Sequence, residues 1–332
     1  MSRKIIFVTG GAGFIGSNIV AKLSEDPSLD VVVCDWLHEA ELGKWRNIAK
    51  HPIGDFVAPE DMFEWLEKRW RDVELVIHMG AVSSTTEPDA DKIVHSNFTL
   101  SRDLFRWCAD RQRRFIYASS AATYGDASVF DDKDDFEALS ALRPLNTYGW
   151  SKALFDTFAV RQAARDYAPP QWVGLKFFNV YGPNEEHKNS MKSVASQIWP
   201  KVRDGHAVQL FKSYREGVPD GGQSRDFVYV RDVADVVAWL GNSEQVNGVY
   251  NLGSGEARTF EDMAKAVFAA AGRTPQIEYT PMPPAIRDKY QYFTQAKMER
   301  LRAAGYNQPM TTLEEGVGEY VTRYLSQPDP YR

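Results

Sequence analysis

The stretch Val8-Thr9-Gly10-Gly11-Ala12-Gly13-Phe14-Ile15-Gly16 decides the fold, because it connects two apolar segments through three spaced glycines. The segment before it, Lys4-Ile5-Ile6-Phe7-Val8, predicts a buried strand, and the amphipathic stretch after it predicts a helix. Gly10 allows a tight turn, Gly13 lets backbone N–H groups approach a pyrophosphate, and Gly16 lets the helix pack close to the strand. The sequence therefore predicts a dinucleotide-binding turn, with phosphates at the N-terminus of the helix.

A second predicted strand supports this interpretation. Val31-Val32-Val33-Cys34 ends in Asp35, at the spacing expected for an acid that binds the ribose of adenosine. The alternative is a glycine-rich turn in an α/β protein that binds no cofactor. The strand, the helix and the acid around the turn favour the dinucleotide site.

The spacing Gly-x-x-Gly-x-x-Gly resembles that of the short-chain dehydrogenase/reductase superfamily, which also requires a Tyr-x-x-x-Lys pair and a serine. The chain has Tyr148-Gly149-Trp150-Ser151-Lys152, preceded by Ser120. Lys152 lies one helical turn after Tyr148, so its ammonium, with an oxidised nicotinamide, favours the phenolate of a group that normally titrates near 10. We predict Tyr148 as the acid/base group, Lys152 as its support and ribose ligand, and Ser120 as a hydrogen-bond partner of the substrate oxygen. Without the other motifs, the alternative interpretation is that Tyr148 is a buried core aromatic and Lys152 is a solvated helix lysine.

Composition limits the other possibilities. The 332 residues are 43% hydrophobic and 25% charged, enough for one large domain or two closely joined ones. The net charge of -6 argues against nonspecific binding of nucleic acid. No apolar run has the length of a membrane span, and the early first strand leaves no room for a signal peptide, so we expect a cytoplasmic protein without a membrane partner. Cys34 and Cys108 are expected to be reduced, and the six histidines show no ligand spacing, so no metal site is predicted.

The element order predicts the fold class. Short apolar strands alternate with amphipathic helices, which indicates a doubly wound parallel sheet covered on both faces. The helices are expected at 59–70, 91–111, 146–167 and 232–240, and the later strands at 75–78, 115–119, 172–180, 226–230 and 249–253. Long loops after Tyr181 predict a substrate pocket. We expect a dinucleotide-binding domain at 1–180, to which 226–253 returns, and a smaller, interleaved substrate domain mainly at 181–332.

Four further stretches narrow the resemblance: Gly80-Ala81-Val82-Ser83-Ser84-Thr85-Thr86-Glu87, Phe178-Asn179-Val180-Tyr181-Gly182-Pro183, Glu186-His187-Lys188-Asn189-Ser190-Met191 and Tyr290-Gln291-Tyr292-Phe293-Thr294-Gln295-Ala296. They resemble the extended branch of the superfamily, whose members act on nucleotide-sugars, and within it the epimerases of ADP-heptoses. The resemblance implies inversion of C6 of the heptose by transient oxidation and re-reduction with bound NADP, in the synthesis of a lipopolysaccharide core precursor. It also implies that Tyr148 serves one face of the keto intermediate and Lys188 the other. By itself, Lys188 reads as a solvated surface lysine.

The same resemblance implies the remaining site residues. Cofactor contacts are expected at Gly10, Gly11, Gly13, Phe14, Ile15, Gly16, Asp35, Trp36, Lys44, Met79, Gly80, Ala81, Val82, Ser83, Asn97, Tyr148, Lys152 and Val180. Substrate contacts are expected at Ser120, Asn179, Ser190, Gln197, Phe211, Lys212, Ser213, Tyr214, Arg225 and Tyr290. Arg225 has a reason of its own, because a guanidinium binds a diphosphate bidentately. The alternative is that Arg225 is a surface arginine that forms an ion pair with Asp226.

The chain also departs from the family pattern. Trp36 replaces an asparagine, Pro59 replaces a lysine near the 2′-phosphate, and Lys44 is retained. NAD therefore stays possible beside NADP, because Asp35 favours a free 2′-hydroxyl while Lys44 suits a phosphate. Gln197 stands where a histidine is common, and 217–222 looks like an insertion.

Two other functions stay open. Another nucleotide-sugar epimerase or dehydratase, such as a UDP-sugar 4-epimerase, would not need Lys188. A non-catalytic dinucleotide-binding protein would commonly lose the tyrosine or the lysine. For the enzyme we expect a nucleotide-sugar partner and a homo-oligomer.

Overall fold

The computed structural model describes residues 4–37, 43–287 and 290–332. The strands are β1 Lys4–Thr9, β2 Leu29–Cys34, β3 Asp55–Val57, β4 Val73–His78, β5 Arg114–Ser120, β6 Trp172–Phe177, β7 Asn179–Tyr181, β8 Val208–Phe211, β9 Ser224–Tyr229, β10 Gly248–Leu252, β11 Ala257–Thr259 and β12 Ile277–Thr280. The α-helices are α1 Phe14–Leu23, α2 Met62–Arg69, α3 Ala90–Ile93, α4 Leu100–Arg111, α5 Phe136–Ser140, α6 Thr147–Ala163, α7 Val194–Arg203, α8 Val230–Gly241, α9 Phe260–Ala270, α10 Pro284–Arg287, α11 Glu299–Ala303 and α12 Leu313–Tyr320.

The large sheet confirms the predicted fold class. Its seven strands run in the order β10-β6-β5-β4-β1-β2-β3, and every pair is parallel. Side chains of β1 alternate between two buried clusters, with Ile5 and Phe7 on one face and Ile6 and Val8 on the other. The strand order reverses between β1 and β4, where ligands of such sheets bind beyond the carboxyl ends of the strands. The glycine turn follows β1 at this point.

Two expected strands differ in the structure. The stretch 172–180, expected as one strand, is divided, because the backbone turns at Phe178, where Val180 N donates to Phe178 O at 3.0 Å. The chain then continues as β7, which pairs with β9 in a separate sheet of order β11-β9-β7. The expectation that 226–230 returns to the large sheet is therefore wrong. The segment expected at 249–253 does return, as β10 beside β6.

The predicted helices are confirmed with changed bounds. The helix expected at 91–111 contains a π-helical segment, Val94–Thr99, between α3 and α4. α6 begins at Thr147, because the side chain of Asn146 accepts a hydrogen bond from Gly149 N at 2.8 Å. It ends at Ala163, before the expected 167.

A third buried cluster, with Trp199, Phe227 and Met263 among its members, packs the C-terminal elements together. It supports the proposed substrate domain, whose boundary at 180/181 stays a prediction. Cys34 and Cys108 are buried free thiols, as expected, and burial raises the pKa of Cys34 to about 12. Within the described ranges, no helix has the length and apolar character needed to cross a membrane.

Candidate active site

The glycine turn has no space for side chains. Gly10 has a φ of +65°, and a Cβ there would lie 2.6 Å from Gly80 N. A Cβ on Gly16 would lie 2.1 Å from Gly10 O, so α1 packs directly on the turn. No side chain caps α1 at Gly13, which leaves the amides of its first turn to another acceptor. These features fit the diphosphate of a dinucleotide.

Asp35 is buried and lies directly after β2. Its Oδ2 accepts a hydrogen bond from Ala12 N at 2.9 Å, and its Oδ1 accepts one from Trp36 N at 2.8 Å. Lys44 Nζ lies 2.6 Å from Oδ1 and also donates to Trp36 O at 2.9 Å. The Trp36 indole is 44% exposed and donates to Glu60 Oε1. The acid and the cation that the sequence assigned to opposite cofactor preferences are therefore one ion pair.

The loop after β4 lies against the glycine turn. Met79 N and Gly80 N donate to the backbone O and the Oγ1 of Thr9, respectively. Asn97 in the π-helical segment then holds Val82: its Oδ1 accepts from Val82 N at 2.8 Å and its Nδ2 donates to Val82 O at 3.0 Å. The predicted loop residues 79–83 are thus fixed beside Gly10. The amide of Asn97 is used for this, and it also reaches Ser151 of α6.

Tyr148, Lys152 and Ser120 come together, as predicted. Lys152 is buried and donates from Nζ to Ala118 O at 2.8 Å. Burial lowers its pKa to about 8, which the charge of Asp156 partly opposes. Burial raises the pKa of Tyr148, and a side-chain hydrogen bond with Ser120 opposes that shift. Burial of Tyr148 therefore favours the neutral phenol, and Ser120 lies at its hydroxyl.

Lys188 is not a solvated surface lysine. It lies in the short 3-10 segment Glu186–Met191, and its Nζ lies 4.9 Å from the centre of the Phe14 ring at the start of α1. Burial lowers the pKa of Lys188, and the charge of Glu185 opposes the shift. Asn189 follows in the left-handed region, with φ +50° and ψ −120°. The segment thus presents a partly buried amine to the glycine turn.

Sequence reasoning missed the contacts that hold this segment. Asn47 Nδ2 donates to Ala12 O at 2.8 Å and lies 3.1 Å from Nδ1 of His187. Asn184 Nδ2 donates to Ser17 Oγ and to Asn47 O. Burial and the charges of Lys44 and Lys188 lower the pKa of His187 to about 4. The only signal in the sequence was a polar run at 184–189, which does not identify a partner.

Arg225 joins two other predicted substrate residues. Its guanidinium is buried and stacks 5.2 Å from the Tyr290 ring and 5.5 Å from the Phe260 ring, while Phe211 meets Tyr290 edge-on. The proposed pair with Asp226 is wrong, because the Asp226 carboxylate accepts from the amides of residues 254, 255 and 296. Arg225 instead donates from Nη1 to the backbone oxygen of residue 224, at 2.9 Å. Burial lowers the pKa of Arg225, and among the described residues no carboxylate contributes to that shift.

The other predicted substrate residues lie on exposed loops and strand ends. Gln197 Nε2 donates to Ser190 O at 3.3 Å, so these two are neighbours. Tyr214 is 47% exposed, and Arg287 stacks 3.7 Å from its ring centre. Ser213 N donates to Asp220 Oδ1, which ties the predicted contact loop to the insertion. The remaining members are Asn179 on β7 and Lys212 directly after β8, and Val180, predicted as a cofactor contact, follows Asn179 on β7.

A parallel sheet with an uncapped glycine turn, a Tyr-x-x-x-Lys helix and a nearby serine defines a nicotinamide-dependent enzyme of the doubly wound class. Residues 6–253 match the NAD dependent epimerase/dehydratase family, and the chain belongs to that family. A relative from Nitratidesulfovibrio vulgaris, an ADP-L-glycero-D-manno-heptose-6-epimerase, is 47% identical over 327 residues, covering 98% of this chain and 99% of its own.

Solved structures agree. The ADP-L-glycero-D-manno-heptose-6-epimerase of Helicobacter pylori matches with a TM-score of 0.80 at 28% identity, over 97% of this chain and 96% of that one. The UDP-glucose 4-epimerase of Thermus thermophilus, in complex with NAD, matches with a TM-score of 0.70 at 27% identity, over 95% and 96%. The resemblance found in the sequence is confirmed.

Proposed function

We propose that the protein inverts C6 of the heptose in ADP-D-glycero-D-manno-heptose, giving ADP-L-glycero-D-manno-heptose. The observation that carries this proposal is the position of Lys188, 4.9 Å above the ring of Phe14 at the glycine turn. A second acid/base group beside the glycine turn suits an enzyme that must work on both faces of one carbon. The names of the relatives at 43–47% identity support the choice of sugar.

Residues 10–16 and 79–83 would hold a nicotinamide dinucleotide, which when bound would supply reversible acceptance and return of a hydride. Tyr148 then moves the proton of the sugar hydroxyl on one face. Lys152 favours the phenolate by its charge, and Ser120 holds the same oxygen by a hydrogen bond. Removing Tyr148 leaves this face without a group that can exchange the proton.

Lys188 moves the proton on the opposite face. An amine is a useful general acid and base when its pKa lies near the working pH, and burial moves the pKa of Lys188 in that direction. Phe14 supports the ammonium through its ring face, and Glu185 limits the shift. The segment Glu186–Met191 therefore supplies chemistry that a UDP-sugar 4-epimerase would not need.

We propose NADP as the cofactor, with NAD possible. Lys44 neutralises Asp35, so a 2′-phosphate would meet an ammonium and no uncompensated carboxylate. The further cation Lys188 acts on the same His187 as Lys44, which makes this end of the cleft positive. Arg225 would bind the diphosphate of the nucleotide-sugar, with Phe211 and Tyr290 beside it. A cytoplasmic location and a homo-oligomer complete the proposal.

The test is incubation of the purified protein with ADP-D-glycero-D-manno-heptose and no added cofactor, followed by NMR of the C6 configuration. We expect inversion, and denaturation should release NADP or NAD that mass spectrometry identifies. Unchanged C6 configuration in protein that contains cofactor would contradict the proposed reaction. In that case, inversion at C4 of UDP-glucose in a parallel sample would identify the alternative epimerase.

A further inference from the structure

A fully buried ion pair lies behind the reaction site, and the proposed function does not use it. Asp156 Oδ2 lies 2.8 Å from Lys176 Nζ, and the two side chains are 0% and 1% exposed. Asp156 is on α6, one helical turn after Lys152, so Tyr148, Lys152 and Asp156 follow one another along the helix at four-residue intervals. Lys176 comes from β6 of the large sheet.

Hydrogen bonds connect this ion pair to residues that precede and follow Ser120 in the chain. Ser119 Oγ donates to Asp156 Oδ2 at 2.7 Å, and Lys176 Nζ donates to Thr123 Oγ1 at 2.8 Å. Thr123 Oγ1 in turn donates to Ser120 O at 2.8 Å. The pair therefore connects the segment that carries Ser120 to the helix that carries Lys152.

The charged and titratable groups around Lys152 are few. Tyr148 and Asp156 share its helix, and Tyr117 of β5 donates to Asp156 Oδ1 at 3.0 Å. From β4, His78 is bonded to Thr9 and Ser101, and burial together with the Lys152 charge lowers its pKa to about 3, so it is neutral. Among the described residues, Asp156 is the carboxylate whose charge acts on Lys152. Lys176 is the cation paired with Asp156.

We propose that Asp156 and Lys176 are positioning residues of the reaction site: Asp156 supplies the counter-charge that keeps Lys152 an ammonium in a dry interior, and Lys176 holds the Asp156 carboxylate in place through the ion pair. This inference rests on the roles proposed above for Tyr148 and Lys152. Burial disfavours the charged form of a lysine, so an ammonium without a carboxylate nearby would lose its proton more easily. A neutral amine at position 152 would no longer favour the phenolate of Tyr148.

The competing explanation is that the pair only stabilises the fold. Buried ion pairs can often be replaced together by apolar side chains, so stability alone does not require one. The two explanations differ in the pH dependence of the reaction. Loss of packing lowers the amount of active enzyme at every pH, whereas a change of charge near Lys152 moves the alkaline limb of the profile.

The experiment measures the pH profile of kcat for C6 inversion in the cofactor-bound protein. Asp156→Asn should move the alkaline limb to lower pH by about one unit, because the counter-charge is lost. Lys176→Met should move the limb to higher pH, because Asp156 then acts on Lys152 without a competing cation. Opposite movements support the inference, and a limb that stays in place in either variant overturns it.

Ser119→Ala is the matched control, because it removes a hydrogen bond to Asp156 and no charge. Its limb should stay at the wild-type position. If neither single variant folds, Asp156→Leu combined with Lys176→Met removes both charges together, and its limb should still move to lower pH; an unmoved limb overturns the inference. Absence of inversion in the wild-type protein would instead count against the proposed function.

Discussion

The two sides of the cleft use lysine in different ways. On the N-terminal side, Lys152 lies in a regular helix and donates to a backbone oxygen of the neighbouring strand. On the C-terminal side, Lys188 lies in a short 3-10 segment, and its cation lies over the ring of Phe14. Burial lowers the pKa of both lysines. The charge of Asp156 opposes the shift at Lys152, and the charge of Glu185 opposes it at Lys188.

The two lysines also differ in the contacts that determine their positions. Lys152 shares its helix with Tyr148, so local geometry sets their relation. Lys188 depends on distant contacts: Glu185 accepts from Tyr320 OH at 2.9 Å, and His187 meets Asn47, 140 residues away in sequence. The C-terminal side is therefore more sensitive to changes elsewhere in the chain.

The largest effect should come from removing either acid/base group. Tyr148→Phe and Lys188→Met should each lower kcat by about 10² to 10⁴, since each face then lacks its proton-exchanging group. Steady-state NMR of C6 inversion measures the rate, and released nucleotide measures cofactor content. Lys192→Met is the matched control, because Lys192 pairs with Glu186 in the same region. Its rate should stay near that of wild type.

A wild-type rate in Lys188→Met, with unchanged cofactor content and melting temperature, would show that Lys188 is not an acid/base group of the reaction. Tyr148 would then be the single base, and the comparison between the two lysines would lose its functional meaning.

The glycine turn should show the next largest effect. Gly16→Ala places a Cβ 2.1 Å from Gly10 O, so α1 must move, at a cost of about 1–3 kcal/mol in the free energy of unfolding. Thermal unfolding with and without NADP measures the cost and the loss of cofactor binding. Gly318→Ala lies in α12 with no atom near its Cβ, and it should stabilise the protein by about 0.5–1 kcal/mol. Equal melting temperatures for the two variants would show that the turn is not tightly packed.

Arg225→Lys tests the C-terminal side at the diphosphate. The charge stays, but the planar fork and its stacking on Tyr290 are lost. We expect KM for the ADP-sugar to rise about tenfold with kcat nearly unchanged, corresponding to about 1.4 kcal/mol of binding. A fall in kcat with an unchanged KM would place Arg225 at the chemical step.

The smallest effects should appear at the adenosine end. Lys44→Met should weaken NADP more than NAD by roughly 0.3–1 kcal/mol, the range of a partly exposed ion pair, because only NADP carries the phosphate. Asp35→Ala should weaken NAD more than NADP if its carboxylate holds the 2′-hydroxyl. Fluorescence titration of both nucleotides measures the two ratios, and equal losses for both nucleotides in both variants would contradict the assignment.

The sequence by itself determined the parts that depend on local periodicity and steric rules. The strand, turn and helix around Gly10, the parallel sheet, and the pair Tyr148 and Lys152 follow from spacing, since a turn without Cβ atoms and a shared helix face are properties of neighbouring residues. The family resemblance also indicated Lys188 and Arg225, but neither spacing nor composition could show what surrounds them.

Only the tertiary structure decided the rest. The break at Phe178 was hidden because the residues on both sides of it form strands, 172–177 in one sheet and 179–181 in another, with a single residue between them. The stacking of Arg225 in place of a pair with Asp226 and the network around Asp156 join segments far apart in sequence. The ion pair of Asp35 with Lys44 spans nine residues, and no periodicity of the sequence predicts it. Burial and charge at such sites depend on which distant groups pack there, and a pKa follows from that packing and not from residue type.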